Sequence, residues 1–189
     1  MLVMKRLLAF SFVLAIAGLC IAQGDRARAN FNRLLAAANE GDANAQNELG
    51  IAYADGNGVS RNQKQAVYWF RKSATQGNAL GTCNLGLHYS KGWGVHRDPV
   101  LMMKYVFAAN ALDGLKCNPA EFIYSSKPRP TECQIQKGSD LAIAWLRAHP
   151  DFKNDHDERP WLGQGKYPIT VREEGGSVQL ATKRKRKCR

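Results

Sequence analysis

The chain is 189 residues long, enough for one ordinary domain or two small ones. Its composition is 44% hydrophobic, 9% aromatic and 23% charged, which excludes disordered and collagen-like chains. Lys and Arg outnumber Asp and Glu by 27 to 16, a formal charge of +11. No apolar run reaches the roughly 18 residues of a membrane-spanning helix, so a spanning channel or transporter is excluded.

The first feature along the chain is a targeting signal. Lys5 and Arg6 precede an apolar run of 13 residues, Leu7 to Leu19, and Cys20-Ile21-Ala22 closes it. This three-part layout predicts a secretory signal peptide cleaved after Ala22, and with it a periplasmic or secreted protein. Lipidation at Cys20 is disfavoured because bulky Leu19 stands where a small residue is needed. Cleavage removes two basic residues and leaves 25 against 16 acidic ones, +9 over 167 residues. Six of those basic residues lie in Lys183 to Arg189, so the basicity is mostly a tail.

Export places the four remaining cysteines, Cys83, Cys117, Cys133 and Cys188, in an oxidising compartment where an even count predicts disulfides. Cys117 and Cys133 flank a Pro- and Ser-containing segment, and closing that loop would stabilise by roughly 3 kcal/mol. The expected bridge is therefore Cys117–Cys133, with Cys83 and Cys188 either paired or free. No CxxC or HxxxH spacing supports a zinc site.

The middle of the chain repeats itself. Leu49-Gly50 recurs as Leu85-Gly86, Tyr53 as Tyr89, and Gly56-Asn57-Gly58-Val59 as Gly92-Trp93-Gly94-Val95, every offset being 36. Ala45, Leu49, Ala52 and Tyr53 share one helical face, and Gly56-Asn57-Gly58 breaks that helix. Ala66, Val67, Phe70 and Ala74 form a second apolar face that ends at Gly77. Gly50 inside the first helix implies close approach of a neighbouring helix. Ala142 to Arg147 echoes Ala66 to Arg71 at an offset of 76, two repeat lengths plus an insertion of four residues. Ser139 is the expected N-cap of that last helix. Asn118-Pro119 would start a short helix that Pro128 and Pro130 end.

These residues resemble the Sel-1-like repeat, a relative of the tetratricopeptide repeat. The likeness is close for Ala45 to Asn78 and weaker for Gly81 to Gly114, where Pro99 and Met102-Met103 replace the usual residues. Ala29 to Glu40 reads as an N-terminal half repeat. The resemblance implies an all-α fold, an α/α solenoid whose members are generally binding scaffolds and not catalysts. It covers about half of the processed chain. The expected organisation is a signal peptide over 1–22, the solenoid over 23–150, and a loop, β-hairpin and basic tail over 151–189. The hairpin is read from Tyr167 to Arg172 and Ser177 to Thr182, which alternate about Glu173-Glu174-Gly175-Gly176.

No nucleophile elbow, phosphate loop or His-Glu-x-x-His is present, so no catalytic, metal or cofactor residues are assigned. Asp155-His156-Asp157-Glu158 reads as a solvated loop, because adjacent side chains rarely converge on one ion. His88 takes the place of Ala52 on the packed stripe and reads as a core histidine. In such solenoids the first helix of each unit lines the concave face. The positions off the stripe there are Asn47, Glu48, Ile51 and Asp55, matched by Cys83, Asn84, Leu87 and Lys91. Ile51 and Leu87 would form a small apolar strip with polar edges, and Trp93 at the turn tip is an aromatic candidate.

The function this implies is an exported protein-binding scaffold, with an inhibitor or immunity protein for a periplasmic toxin as one concrete form and an envelope adaptor as another. Hydrolysis of a cell-wall or β-lactam substrate is implied only for relatives with a cysteine pair inside each repeat, which this chain lacks. The tail suits phosphate or an anionic lipid surface but has no interleaved aromatics for nucleic-acid stacking. Intact-mass analysis of the processed protein is expected to show a start at Gln23, and a processed form retaining Met1 to Ala22 would overturn the export reading.

Overall fold

The computed structural model describes residues 23–113, 117–149, 151, 170–174 and 177–181. The expected signal peptide, the Asp155–Glu158 segment and the basic tail lie outside the described residues. Helix α1 covers residues 23–39. It is followed by α2 (Ala43–Asp55), α3 (Gln63–Ala74), α4 (Ala79–Lys91), α5 (Pro99–Leu112), α6 (Pro119–Ser125) and α7 (Glu132–Arg147). Strands β1 (Thr170–Glu174) and β2 (Ser177–Ala181) pair antiparallel, with Thr170 opposite Ala181 and Glu174 opposite Ser177.

Short polar side chains start each repeat helix. The Asp42 carboxylate accepts from the amides of Asn44 and Ala45, at 2.8 and 3.1 Å. Asn62 does the same for Lys64 and Gln65, and Asp98 for Val100 and Leu101. These oxygens satisfy amides that have no partner inside the helix, typically worth ~1 kcal/mol each. Both first helices stop at a glycine in the left-handed region, Gly56 at φ 79° after α2 and Gly92 at φ 74° after α4. Side chains rarely tolerate that conformation, so the repeated glycine sets where the chain turns towards the second helix.

The two helices of a repeat touch through a glycine. A Cβ on Gly50 would stand 2.6 Å from Cε1 of Phe70, and one on Gly86 would stand 2.9 Å from Cγ2 of Val106. Phe70 and Val106 are 36 residues apart and both are buried, as are Leu49 and Leu85 on the first helices. Met102 and Met103, which depart from the repeat pattern, are also fully buried and take the places of Ala66 and Val67 in one core. A second, smaller core joins Phe31, Leu34 and Ala38 of α1 to Leu49, Ala52 and Trp69, so α1 acts as the missing second helix before α2.

The third unit keeps the packing and changes the capping. Helix α6 starts at Pro119 as expected, but α7 begins seven residues before Ser139. Thr131 is its N-cap, in a reciprocal capping box: the Gln134 amide donates to Thr131 Oγ1, and Thr131 N donates to Gln134 Oε1. Ser139 therefore lies inside the helix, fully buried, with its hydroxyl unpartnered among the described residues. Small residues are wanted here because a Cβ on neighbouring Gly138 would come within 2.8 Å of Val100 O and 3.0 Å of Lys104 N on α5.

Gly50→Ala is expected to destabilise the protein by ~1–3 kcal/mol, because the ring it meets belongs to a buried residue that cannot swing away. Urea unfolding measures this. A Phe70→Leu background should relieve part of the loss, giving a coupling energy that an additive pair would not show.

Candidate functional site

The expected partner-binding positions lie on α2, on α4 and on the turn after α4. Ile51 is 40% exposed although Leu49 and Ala52 beside it are buried, and Glu48, Asp55 and Lys91 are exposed. Leu87 and Asn84 are half-buried. Asn47 departs from the expectation. It is buried, and its Oδ1 accepts from Asn84 Nδ2 at 2.9 Å, so the pair ties α2 to α4. First helices of successive units lie side by side, and a residue one turn off the stripe faces the neighbouring unit instead of open solvent.

Further polar ties join α2 to α3 and to the turn between α3 and α4. Asn78 Nδ2 donates to Asn44 Oδ1 at 2.7 Å, Gln76 Nε2 donates to Gln46 Oε1 at 2.8 Å, and Ser73 Oγ donates to Ala43 O at 2.7 Å. Their signal was available in the separations of 30 to 34 residues, close to one repeat length.

His88 is the satisfied core residue expected from its place on the stripe. It is buried, with Nδ1 2.9 Å from Asn84 O and Nε2 3.0 Å from Gln63 Oε1. Burial pushes its pKa below the usual 6.5, and the Asn84 carbonyl acts in the opposite direction. Trp93 meets the His88 ring edge-on at 5.7 Å while remaining 41% exposed. It thus caps the packed histidine with one edge and offers the rest of its ring to solvent.

The disulfide differs from the expectation. Cys117 pairs with Cys83 of α4 and not with Cys133, which sits in the first turn of α7. The Cα atoms of Cys83 and Cys117 are 5.9 Å apart, well inside the range a bridge can span. The bond fastens the start of the third unit to the first helix of the second. Among the described residues, no three His, Cys, Asp or Glu side chains converge on a point that could hold a metal.

A protein-family model described as Sel1 repeat matches residues 43–78 and 79–101, the segments that form α2–α3 and α4 with the start of α5. Residues 43–101 thus match the Sel1 repeat. One similar solved structure is described as c5321, a protective antigen present in uropathogenic Escherichia coli strains displaying an SLR fold. It is 29% identical with a TM-score of 0.59, covering 65% of this chain and 26% of the antigen. The chain thus spans about a quarter of that protein's length. A Sel1 repeat protein from Oxalobacter formigenes is 20% identical with a TM-score of 0.40, over 66% of this chain and 64% of the other. No match was found among curated proteins. Sel1 repeats typically form protein–protein interaction scaffolds, and the paired helices described above are of that kind.

Non-reducing peptide mapping is expected to recover Cys83 linked to Cys117, and a Cys117–Cys133 peptide in its place would overturn the pairing. Replacing both Cys83 and Cys117 by Ser should lower stability by ~2–4 kcal/mol in urea, since the bridge closes a separation of 34 residues.

Proposed function

We propose that the protein is an exported, non-catalytic scaffold that binds another protein through the first helices of its Sel1 repeats. The observation that carries this reading is Ile51. An aliphatic side chain stands 40% exposed beside buried Leu49 and Ala52. Leu87, half-buried, is its counterpart one unit later, and Glu48, Asp55 and Lys91 supply polar edges. An apolar centre with a polar rim is the usual anatomy of a partner-binding patch. Trp93 adds an exposed aromatic at the end of α4, a residue type enriched among energetic hot spots.

The concrete form of this scaffold is an inhibitor or immunity protein that covers the active cleft of a periplasmic toxin. A rigid face built on helices suits that task, because little conformational entropy is lost on docking. Export rests on the Lys5 to Ala22 signal and on a disulfide, which persists in oxidising compartments. The likeness to a structure described as a protective antigen is in keeping with it. The C-terminal hairpin and basic tail act as accessories that extend the contact and steer encounter.

Ile51→Arg with Leu87→Arg tests the reading. Both positions lie off the buried stripe, so the long side chains can reach water and the helical spectrum should stay unchanged. At a desolvated contact the same charges would be buried unpaired, weakening a captured partner by roughly a hundredfold or more. Calorimetry against that partner decides it, and full affinity in the double variant would exclude these helices as the binding face.

A further inference from the structure

The second helices carry a feature of their own. From Gly56 to Arg97 the chain holds six Lys and Arg residues and not one Asp or Glu. This charge belongs to the folded repeats and is separate from the C-terminal tail. Three cations on α3 and α5 are placed on aromatic groups. Lys72 Nζ lies 5.1 Å from the ring centres of both Tyr68 and Trp69. Lys104 Nζ lies 4.8 Å from the Tyr105 ring and 5.9 Å from that of Trp145 on α7. Arg71 Nη2 donates to Tyr89 Oη at 3.3 Å, and the Tyr89 ring stacks on Tyr105 at 5.6 Å. None of these three cations meets a carboxylate among the described residues.

We propose that this aromatic-backed basic face of α3 and α5, with Arg71, Lys72 and Lys104 as its cations, is a docking surface for a carboxylate-rich segment of a partner protein. Arg71 uses one of its five donors on Tyr89, and the rest of its fork fits a carboxylate two-pronged. Lys104 is half-buried, and burial pushes its pKa below the usual value. Such a group is stabilised by ring faces alone until an anion arrives. Tyr68, 46% exposed between Lys64 and Lys72, gives the face an aromatic contact. Nucleic acid fits less well, because Trp69 is buried and the rings of Tyr105 and Trp145 are covered by Lys104, which leaves few faces for bases to stack on. This surface lies on second helices, whereas the Ile51 and Leu87 strip lies on first helices, so either can fail without the other.

A blocked poly-glutamate peptide is the probe, titrated into the isotopically labelled full-length protein with Lys183, Arg184, Lys185, Arg186, Lys187 and Arg189 all replaced by Gln. That background removes the tail as a competing site. The expected result is saturable binding that weakens with salt, with amide shifts centred on Tyr68–Lys72 and Lys104–Tyr105. Arg71→Ala with Lys72→Ala should lower affinity by roughly tenfold and flatten the salt dependence, leaving the helical spectrum unchanged. Lys104→Gln should also weaken binding, and Ile51→Arg should not. Shifts elsewhere, or an unchanged affinity in the Arg71/Lys72 variant, would overturn the proposal. So would tighter binding of anionic vesicles or of single-stranded DNA through the same residues at the same salt.

Discussion

The contact of a ring with a glycine is the constraint on which the solenoid depends. A helix pair packs at its usual distance when side chains stand on both sides. Here Gly50 presents bare backbone, and Phe70 lies on it closely enough that a single methyl would collide. The approach keeps both helices of the unit short of side-chain volume and fixes their crossing point. One unit later Gly86 receives Val106, a smaller group, while Met102 and Met103 stand where the first unit has Ala66 and Val67, all of them in one core.

That same constraint explains what could be read from the sequence. Gly50, Gly56 and Leu49 recur at a step of 36 because each must perform one geometric task again, whether close approach, a left-handed turn or burial. Helices α2 to α5 and the core role of His88 follow from that step. The disulfide does not, because loop length by itself does not select the partner cysteine. Closure entropy grows only with the logarithm of length, so a short loop is barely favoured over one a repeat long. Solenoid geometry decides instead. Residues about one repeat apart lie side by side, and Cys117 is 34 residues beyond Cys83. The burial of Asn47 has the same origin, with Asn84 standing 37 residues further on.

Helix α7 illustrates a competition that local propensity cannot resolve by itself. Ser139 is a good cap in isolation, yet Thr131 with Gln134 satisfies two backbone amides reciprocally and lets the helix extend by two turns. The extension is tolerated only because Gly138 and Ser139 are small where α7 crosses α5. A larger residue at either point would favour the shorter helix. Among the described residues the Ser139 hydroxyl has no partner, which is the cost of that choice.

The insertion in the third unit leaves a clear trace on the second helices. Trp69 and Tyr105 are 36 residues apart, and Trp145 follows after 40, so the four added residues lie between Tyr105 and Trp145. Lys104 spans the last two rungs. Its methylene stem can lie along apolar surface while the ammonium meets two ring faces, an arrangement that offsets part of the hydration lost on burial. A neutral residue of the same length would pack as well without that cost. The amine is therefore not explained by packing within the chain, nor is the absence of acidic residues from Gly56 to Arg97. Polar ties come from both sets of helices: Asn47 and Asn84 join α2 to α4, while on α3 Gln63 holds His88 and Ser73 reaches Ala43 O. Lys72 and Lys104 touch rings and stand apart from those ties. Their charge can therefore change without loosening the contacts that hold the units in register.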